Sequence, residues 1–242
     1  MLATLILVGG VGTRLAPVIG PNLPKALAPV FGHPFLWYLL DWLTRQGVQQ
    51  VVLATGHGGS YLRAAVEDMT PPGMKVDCCE ETQPLGTGGA VRHALQRMRA
   101  DPFLVLNGDS IFLAPLEPFA AFHQARGALA SLLLAKVSDA ARYGAVELGP
   151  TGEVRRFNEK ETTGPGLISA GTYIFSRRAA EMIPEEQLCS LERDVLPRWV
   201  GQGLCGYPSE APFIDIGTPE SFRQAQSFFA NWPATPAIVG VR

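Results

Sequence analysis

Leu2-Ala3-Thr4-Leu5-Ile6-Leu7-Val8-Gly9-Gly10-Val11-Gly12-Thr13-Arg14-Leu15 is a largely apolar run that breaks into glycines and then a cation. The first seven residues have the composition of a strand buried on both faces of a parallel sheet. The glycines after them let backbone N–H groups close on an oxyanion, because no β-carbon intervenes. Arg14 adds a planar donor that forks onto a phosphate, and Lys25, in Leu23-Pro24-Lys25, adds a second cation at the end of the loop. Glycines alone are equally the mark of a tight strand-to-helix turn; the two cations favour phosphate binding. The spacing excludes a P-loop, which needs Gly-Lys-Ser/Thr. It also excludes a dinucleotide fingerprint, since Leu15 stands where the last glycine of GxGxxG belongs.

Outward from this segment, strand and helix patterns alternate. Pro34 opens a helix in which Leu36, Leu39, Leu40 and Leu43 form one stripe, and Gly47 ends it. Residues 51–55, 74–80 and 103–106 read as buried strands, separated by helices ending near 68 and covering 88–98. Further on, 115–126 and 191–200 read as helices, 128–137 and 167–175 as strands, and 144–148 with 154–158 as a hairpin around Pro150-Thr151-Gly152. A short strand ends at Asp215, and Thr218 caps a last helix with Pro219 at its first position. The alternation predicts a three-layer, Rossmann-like α/β fold with a mostly parallel mixed sheet. The 242 residues form one expected domain, in two halves over about 1–110 and about 111–230.

At 47% hydrophobic residues the chain can bury a large core, and a net charge of −2 points neither to nucleic acid nor to a membrane surface. Cys78, Cys79, Cys189 and Cys205 lack the spacing of a metal clip, and read as thiols in a reducing cytoplasm. The N-terminal apolar run is too short for a span and lacks the basic flank of a signal peptide. His33, His57, His93 and His123 show no HxH or HExxH pairing, and no GxSxG elbow supports a hydrolase.

Gly9-Gly10-x-Gly12-Thr13-Arg14-Leu15 followed by Pro24-Lys25 resembles the signature of the nucleotidyltransferases that make nucleotide-activated sugars. The resemblance runs from Leu2 to about Phe228. Val18-Ile19, Ala28-Pro29-Val30 and Pro34-Phe35-Leu36 make the chain similar, within that group, to D-glycero-D-manno-heptose 1-phosphate guanylyltransferases. The resemblance implies transfer of a nucleotide from a triphosphate, GTP above all, to a sugar 1-phosphate, with release of pyrophosphate. Mannose 1-phosphate as acceptor, UTP or dTTP as donor, and a non-catalytic nucleotide-sugar-binding protein are the alternatives. A homodimer is the expectation for this fold.

The same resemblance implies site residues. Gly9, Gly10, Gly12 and Thr13 hold the triphosphate, and Gln83 and Gly88, in Gln83-Pro84-Leu85-Gly86-Thr87-Gly88-Gly89, contact the nucleotide. Arg14, Lys25 and Asp109 are the catalytic set, and Asp109 and Asp215 share a Mg²⁺ ion on the triphosphate. Tyr143, Gly144, Glu159, Lys160, Ser169 and Gly171 face the sugar phosphate. Ser169 stands where the family usually has Asn, so it offers one hydroxyl in place of an amide. Ser190-Leu191-Glu192 either caps its helix or borders the sugar pocket.

Overall fold

The computed structural model describes residues 2–10, 12–56, 58–157, 164–185 and 187–233. Seven strands make the main sheet: β1 (Thr4–Leu7), β2 (Gln50–Thr55), β3 (Lys75–Glu80), β4 (Phe103–Asn107), β5 (Ala130–Val137), β6 (Gly166–Phe175) and β7 (Leu204–Ser209). Their spatial order is β7-β5-β6-β4-β1-β2-β3. Neighbours pair in parallel except around β6, which runs antiparallel between β4 and β5.

Successive strand side chains point to opposite faces. Ile6, Leu53, Leu104, Leu106 and Leu133 join one buried layer, while Leu5, Val52, Val105, Leu132 and Leu134 join the other. The first layer is closed by α1 (Phe35–Arg45), α2 (Gly59–Met69), α4 (Leu116–Arg126) and α5 (Pro219–Phe229), and the second by α3 (Gly86–Ala94) with the segment 177–199. This is the three-layer, Rossmann-like α/β arrangement that the alternation predicts. Among the described residues no helix is long and apolar enough to cross a membrane.

The expected single stripe on α1 is too narrow. Tyr38 and Trp42 are buried as well as the leucines, because α5 returns across the helix. The Tyr38 and Phe229 rings stand 4.0 Å apart, and Trp232 Nε1 donates to Asp41 Oδ2 at 2.8 Å. A helix buried nearly all round needs apolar residues nearly all round. Thr218 caps α5 as expected, and Ser221 completes the capping box.

One strand was missed, and two further expectations are corrected. The edge strand β7 escaped the sequence reading because Gly206 and Pro208 look like breakers. An edge strand tolerates proline, and a β-carbon on Gly206 would stand 2.7 Å from both Leu134 Cδ1 and Leu148 Cδ2. Residues 191–200 are not an α-helix: a wide π turn over Leu191–Val195 gives way to a 3₁₀ turn over Leu196–Trp199. Pro197 has no N–H to return to the carbonyl four residues back, which breaks regular α hydrogen bonding there. Finally, α3 begins at Gly86 and ends at Ala94, earlier at both ends than the expected 88–98.

His123 of α4 lies 5% exposed against Ser131 of β5, its Nδ1 2.8 Å from the hydroxyl. Burial pushes its imidazole below the ordinary 6.5, with Asp101 pulling weakly the other way. The unfolded chain therefore binds the proton more readily, and stability present above 6.5 is lost as pH falls below it. Thermal melts are expected to show Tm dropping between about pH 7 and about pH 5, with a shallower drop for His123→Gln. Equal slopes for the two proteins would remove His123 as the cause.

Candidate active site

The direction in which the chain adds strands reverses at β1: β2 and β3 extend the sheet on one side, and β4 lies on the other. Ligands of open α/β sheets sit at such a switch point, beyond the strands' C-terminal ends. Leu7 is in register with Ala54 on one side and Asn107 on the other, and Thr55 with Glu80. The loops leaving these four strands therefore converge. A cavity of about 330 Å³ opens there, lined by Gly9, Gly10, Lys25, Glu81, Thr87 and Asp109 among others.

The glycines of the first loop do different things. A β-carbon on Gly9 would come within 3.0 Å of the Gly56 backbone nitrogen, so this glycine lets two loops touch. Gly12 has φ +62°, where a side chain is strained, and its α-carbon face rests on the Lys25 stem. Gly10 has open space where a side chain would be. Thr13 and Arg14 are exposed, and neither lines the cavity.

Lys25 sits on a 3₁₀ turn, Lys25–Leu27, and forms an ion pair with Asp109, which follows β4. Asp215 arrives from a distant segment: strand Phe213–Asp215 pairs antiparallel with Ser110–Phe112, placing Asp215 opposite Ser110. The Ile216 N–H then donates to the Asp109 carbonyl at 2.9 Å. Asp215 is 8% exposed. It accepts from Arg142, from the Tyr143 hydroxyl, from the Gly217 N–H at 2.7 Å and from Ser221 Oγ at 3.2 Å. Burial, followed by the hydrogen bond to Asp215, pushes the Tyr143 phenol well above its ordinary range, so it stays a donor. A β-carbon on Gly217 would stand 3.4 Å from Arg142 Nη2 and 3.6 Å from Lys25 Nζ, so both cations reach one point. Arg142 was missed in the sequence, where an arginine before Tyr-Gly looks like any solvated cation. Its signal is adjacency to Tyr143.

At the start of α3, the segment around Cys189 covers the opening glycines. A β-carbon would meet Cys189 O at 2.4 Å from Gly86, Cys189 Sγ at 2.7 Å from Gly88, and Gln187 O at 2.6 Å from Gly89. The Gly88 N–H already donates to Cys189 O at 2.9 Å, so that donor is committed inside the protein. Gln83 is exposed and does not line the cavity. Thr87 Oγ1 accepts the Leu191 N–H at 2.8 Å and ties the two segments together.

In the second half of the chain, Gly144 has φ +83° and ends the turn that carries Arg142 and Tyr143. Gly171, φ +70°, lies at a register shift in β6, and a β-carbon there would stand 2.7 Å from Ser110 Oγ and 2.8 Å from Asn107 Nδ2. Ser169 directs its hydroxyl inward to Tyr173, 3.2 Å away, and the Tyr173 hydroxyl reaches Glu192 Oε1 at 3.0 Å. Glu192 also receives Ser190 Oγ, and Ser190 caps its own turn, so that motif caps and borders the site at once. Glu159 and Lys160 lie outside the described residues. A larger groove, about 970 Å³, lies at the opposite end of the strands around Val48, Pro102 and Ala128, away from these charged groups.

Residues 3–231 match the nucleotidyl transferase family, and the chain belongs to it. The chain is therefore a nucleotidyltransferase. It is 34% identical, over 98% of its length and 67% of the other's, to the mannose-1-phosphate guanylyltransferase of Mycobacterium tuberculosis (strain ATCC 25618 / H37Rv). It is also 34% identical to the D-glycero-alpha-D-manno-heptose 1-phosphate guanylyltransferase of Aneurinibacillus thermoaerophilus, covering 93% of this chain and 97% of that protein. The crystal structure of HddC from Yersinia pseudotuberculosis complexed with GMP-PN is similar at a TM-score of 0.85 and 34% identity, covering 95% of this chain and 100% of that one.

The glycines separate experimentally. Gly88→Ala must push against Cys189 and Val195, and is expected to destabilise by about 1–3 kcal/mol in urea titration. Gly10→Ala, with nothing within 4 Å, is expected to leave stability within about 0.5 kcal/mol while weakening triphosphate binding. Similar losses of stability in the two variants would contradict this division.

Proposed function

We propose that the chain transfers GMP from GTP to D-glycero-D-manno-heptose 1-phosphate, giving the GDP-sugar and pyrophosphate. The observation that carries the reading is the convergence of Lys25, Asp109, Arg142 and Asp215 at the mouth of the switch-point cavity. The heptose acceptor is supported by the near end-to-end match to the Aneurinibacillus thermoaerophilus guanylyltransferase. Mannose 1-phosphate is the second reading, favoured by the equal identity to the Mycobacterium tuberculosis enzyme. Within one domain, the half up to about residue 110 holds the nucleotide, and the half from about 111 to 230 holds the sugar phosphate.

The chemistry needs little from the protein beyond placement and charge. The sugar-phosphate oxygen is already anionic, so it attacks the α-phosphorus without a strong general base. A bond forms from that oxygen to phosphorus, the bond to the β-phosphate oxygen breaks, and pyrophosphate leaves with the electron pair. Backbone N–H groups of the Gly9–Gly12 turn hold phosphate oxygens, and Lys25, Arg142 and Arg14 balance their charge. The ion pairs of Lys25 and Arg142 keep these side chains aligned until an anion arrives.

Asp109, whose side chain is 38% exposed, and Asp215 offer the oxygen ligands that Mg²⁺ prefers. Among the described residues no group of three or more His, Cys, Asp or Glu forms a metal cage, which suits an ion that fills its shell with water and phosphate. Bound by these two carboxylates, Mg²⁺ supplies charge neutralisation on the triphosphate.

A panel of GTP, UTP and dTTP against heptose, mannose and glucosamine 1-phosphates, scored by pyrophosphate release, is expected to peak at GTP with the heptose. No release with any pair would end the enzymatic reading. Asp109→Ala is expected to fold normally and lose at least about 100-fold in kcat. Lys25→Ala is expected to raise KM for GTP about tenfold, since a charge-assisted contact is lost. Unchanged GTP kinetics in that variant would remove Lys25 from the triphosphate site.

A further inference from the structure

The two ion pairs at the mouth of the switch-point cavity are not equivalent. Lys25 and Asp109 line the cavity, whereas Arg142, Tyr143 and Asp215 do not border it. Arg142 therefore stands on the outer side of the site, on the turn 140–144 that the second half of the chain contributes.

The Arg142 side chain is 38% exposed, yet three contacts fix it. Nη2 donates to Asp215 Oδ1 and to Ser221 Oγ, the latter at 3.2 Å. The guanidinium carbon lies 4.9 Å from the centre of the Tyr143 ring. Nη1 and Nε have no hydrogen-bond partner among the described residues. Neutralising Asp215 needs a single charged nitrogen, which a lysine would supply equally well. The guanidinium brings two further nitrogens that the protein leaves unused, on a side chain whose position is already set. Donors placed in advance and left unspent are what an incoming anion requires.

Room for that anion is kept open at Gly217. The place that a β-carbon would fill there is bounded by Asp215 Oδ1 at 2.8 Å, Arg142 Nη2 at 3.4 Å and Lys25 Nζ at 3.6 Å. A side chain at 217 would press on the Asp215 carboxylate, so glycine leaves the point between the two cations free.

Nucleotidyl transfer brings two phosphates together, with the reacting atoms about 3–3.5 Å apart. Both are anions, and they repel at that distance unless cations flank them. Under the proposed function, Lys25 faces the triphosphate from within the cavity. Arg142 adjoins the same point from the outer side, where the second phosphate has to enter.

We propose that Arg142 holds the phosphate of the acceptor, as Lys25 holds the phosphates of the donor. The assignment rests on the nucleotidyltransferase reading, and it gives the sugar 1-phosphate a contact that does not depend on the sugar.

The test is a calorimetric titration of mannose 1-phosphate and of D-glycero-D-manno-heptose 1-phosphate into the intact protein. The protein is first saturated with a GTP analogue whose α- and β-phosphates are joined by methylene, so that no transfer occurs. Pyrophosphate release from GTP is followed in parallel. Arg142→Lys keeps a counter-charge for Asp215 and loses the planar set of donors. It is expected to keep the wild-type melting temperature and to bind the GTP analogue within about twofold of wild type, while acceptor binding weakens about tenfold. Arg142→Gln also removes the charge, and is expected to weaken acceptor binding further. Should Arg142→Gln fail to fold, Arg142→Lys still decides. Either acceptor serves, since the contact is to the phosphate they share. Unchanged acceptor affinity in Arg142→Lys, a loss confined to the GTP analogue, or no binding of either acceptor by the unaltered protein would overturn the assignment. Pyrophosphate release by the unaltered protein, with acceptor affinity unchanged in Arg142→Lys, sinks the Arg142 role and leaves nucleotidyl transfer standing. Weakened acceptor binding in the variant, with no release from the unaltered protein, does the reverse.

Discussion

The parallel register between β1 and β4 sets the position of nearly every group in the site. With Leu7 opposite Asn107, the glycine turn and Asp109 leave the sheet side by side, and the Gly108 N–H is tied to the Leu7 carbonyl at 2.9 Å. The short pairing of Phe213–Asp215 with Ser110–Phe112 then delivers a second carboxylate to the same edge. Two carboxylates gathered at one mouth repel unless each finds a counter-charge, and Lys25 and Arg142 supply them. Those cations serve twice. They keep the carboxylates tolerable in the free protein, and under the proposed function they stand ready for phosphate.

Close backbone approach is the second constraint, and glycine is its instrument. Gly9 and Gly56 pass with no room for a β-carbon, as do Gly86, Gly88 and Gly89 beneath the segment around Cys189. Gly171 lets β6 cross the end of β4 against Ser110 and Asn107. The glycine-rich motifs therefore perform two jobs that composition cannot separate. Some, such as Gly10, leave open space at the cavity, whereas others, such as Gly88, remove space so that protein can pack on protein. The wide π turn at Leu191–Val195 belongs to the same packing, since it sets Leu191 and Glu192 against Thr87 and Tyr173.

Much of this was legible in the chain itself. Continuous apolar runs identified the parallel strands, and the glycines after the first strand marked a turn at the sheet's C-terminal edge, because both are local patterns. Less legible was the second half. Strand β7 was hidden by Gly206 and Pro208, which are breakers in isolation and acceptable only at an edge against Leu134. Ser169 shows the same limit: its hydroxyl's partner, Tyr173, lies beyond a register shift in β6 that the sequence alone does not reveal.

By itself, then, the sequence determined the layer architecture, the glycine turn after β1 and the inventory of charged groups, since each depends on residues a few positions apart. Only the tertiary structure decided which charges meet. Asp215 reaches Asp109, Arg142 holds Asp215, and Glu81 rather than Gln83 faces the cavity because strand register places them there. Register is a property of paired strands far apart in the chain, and a shift of one residue reverses which side of the sheet a side chain faces.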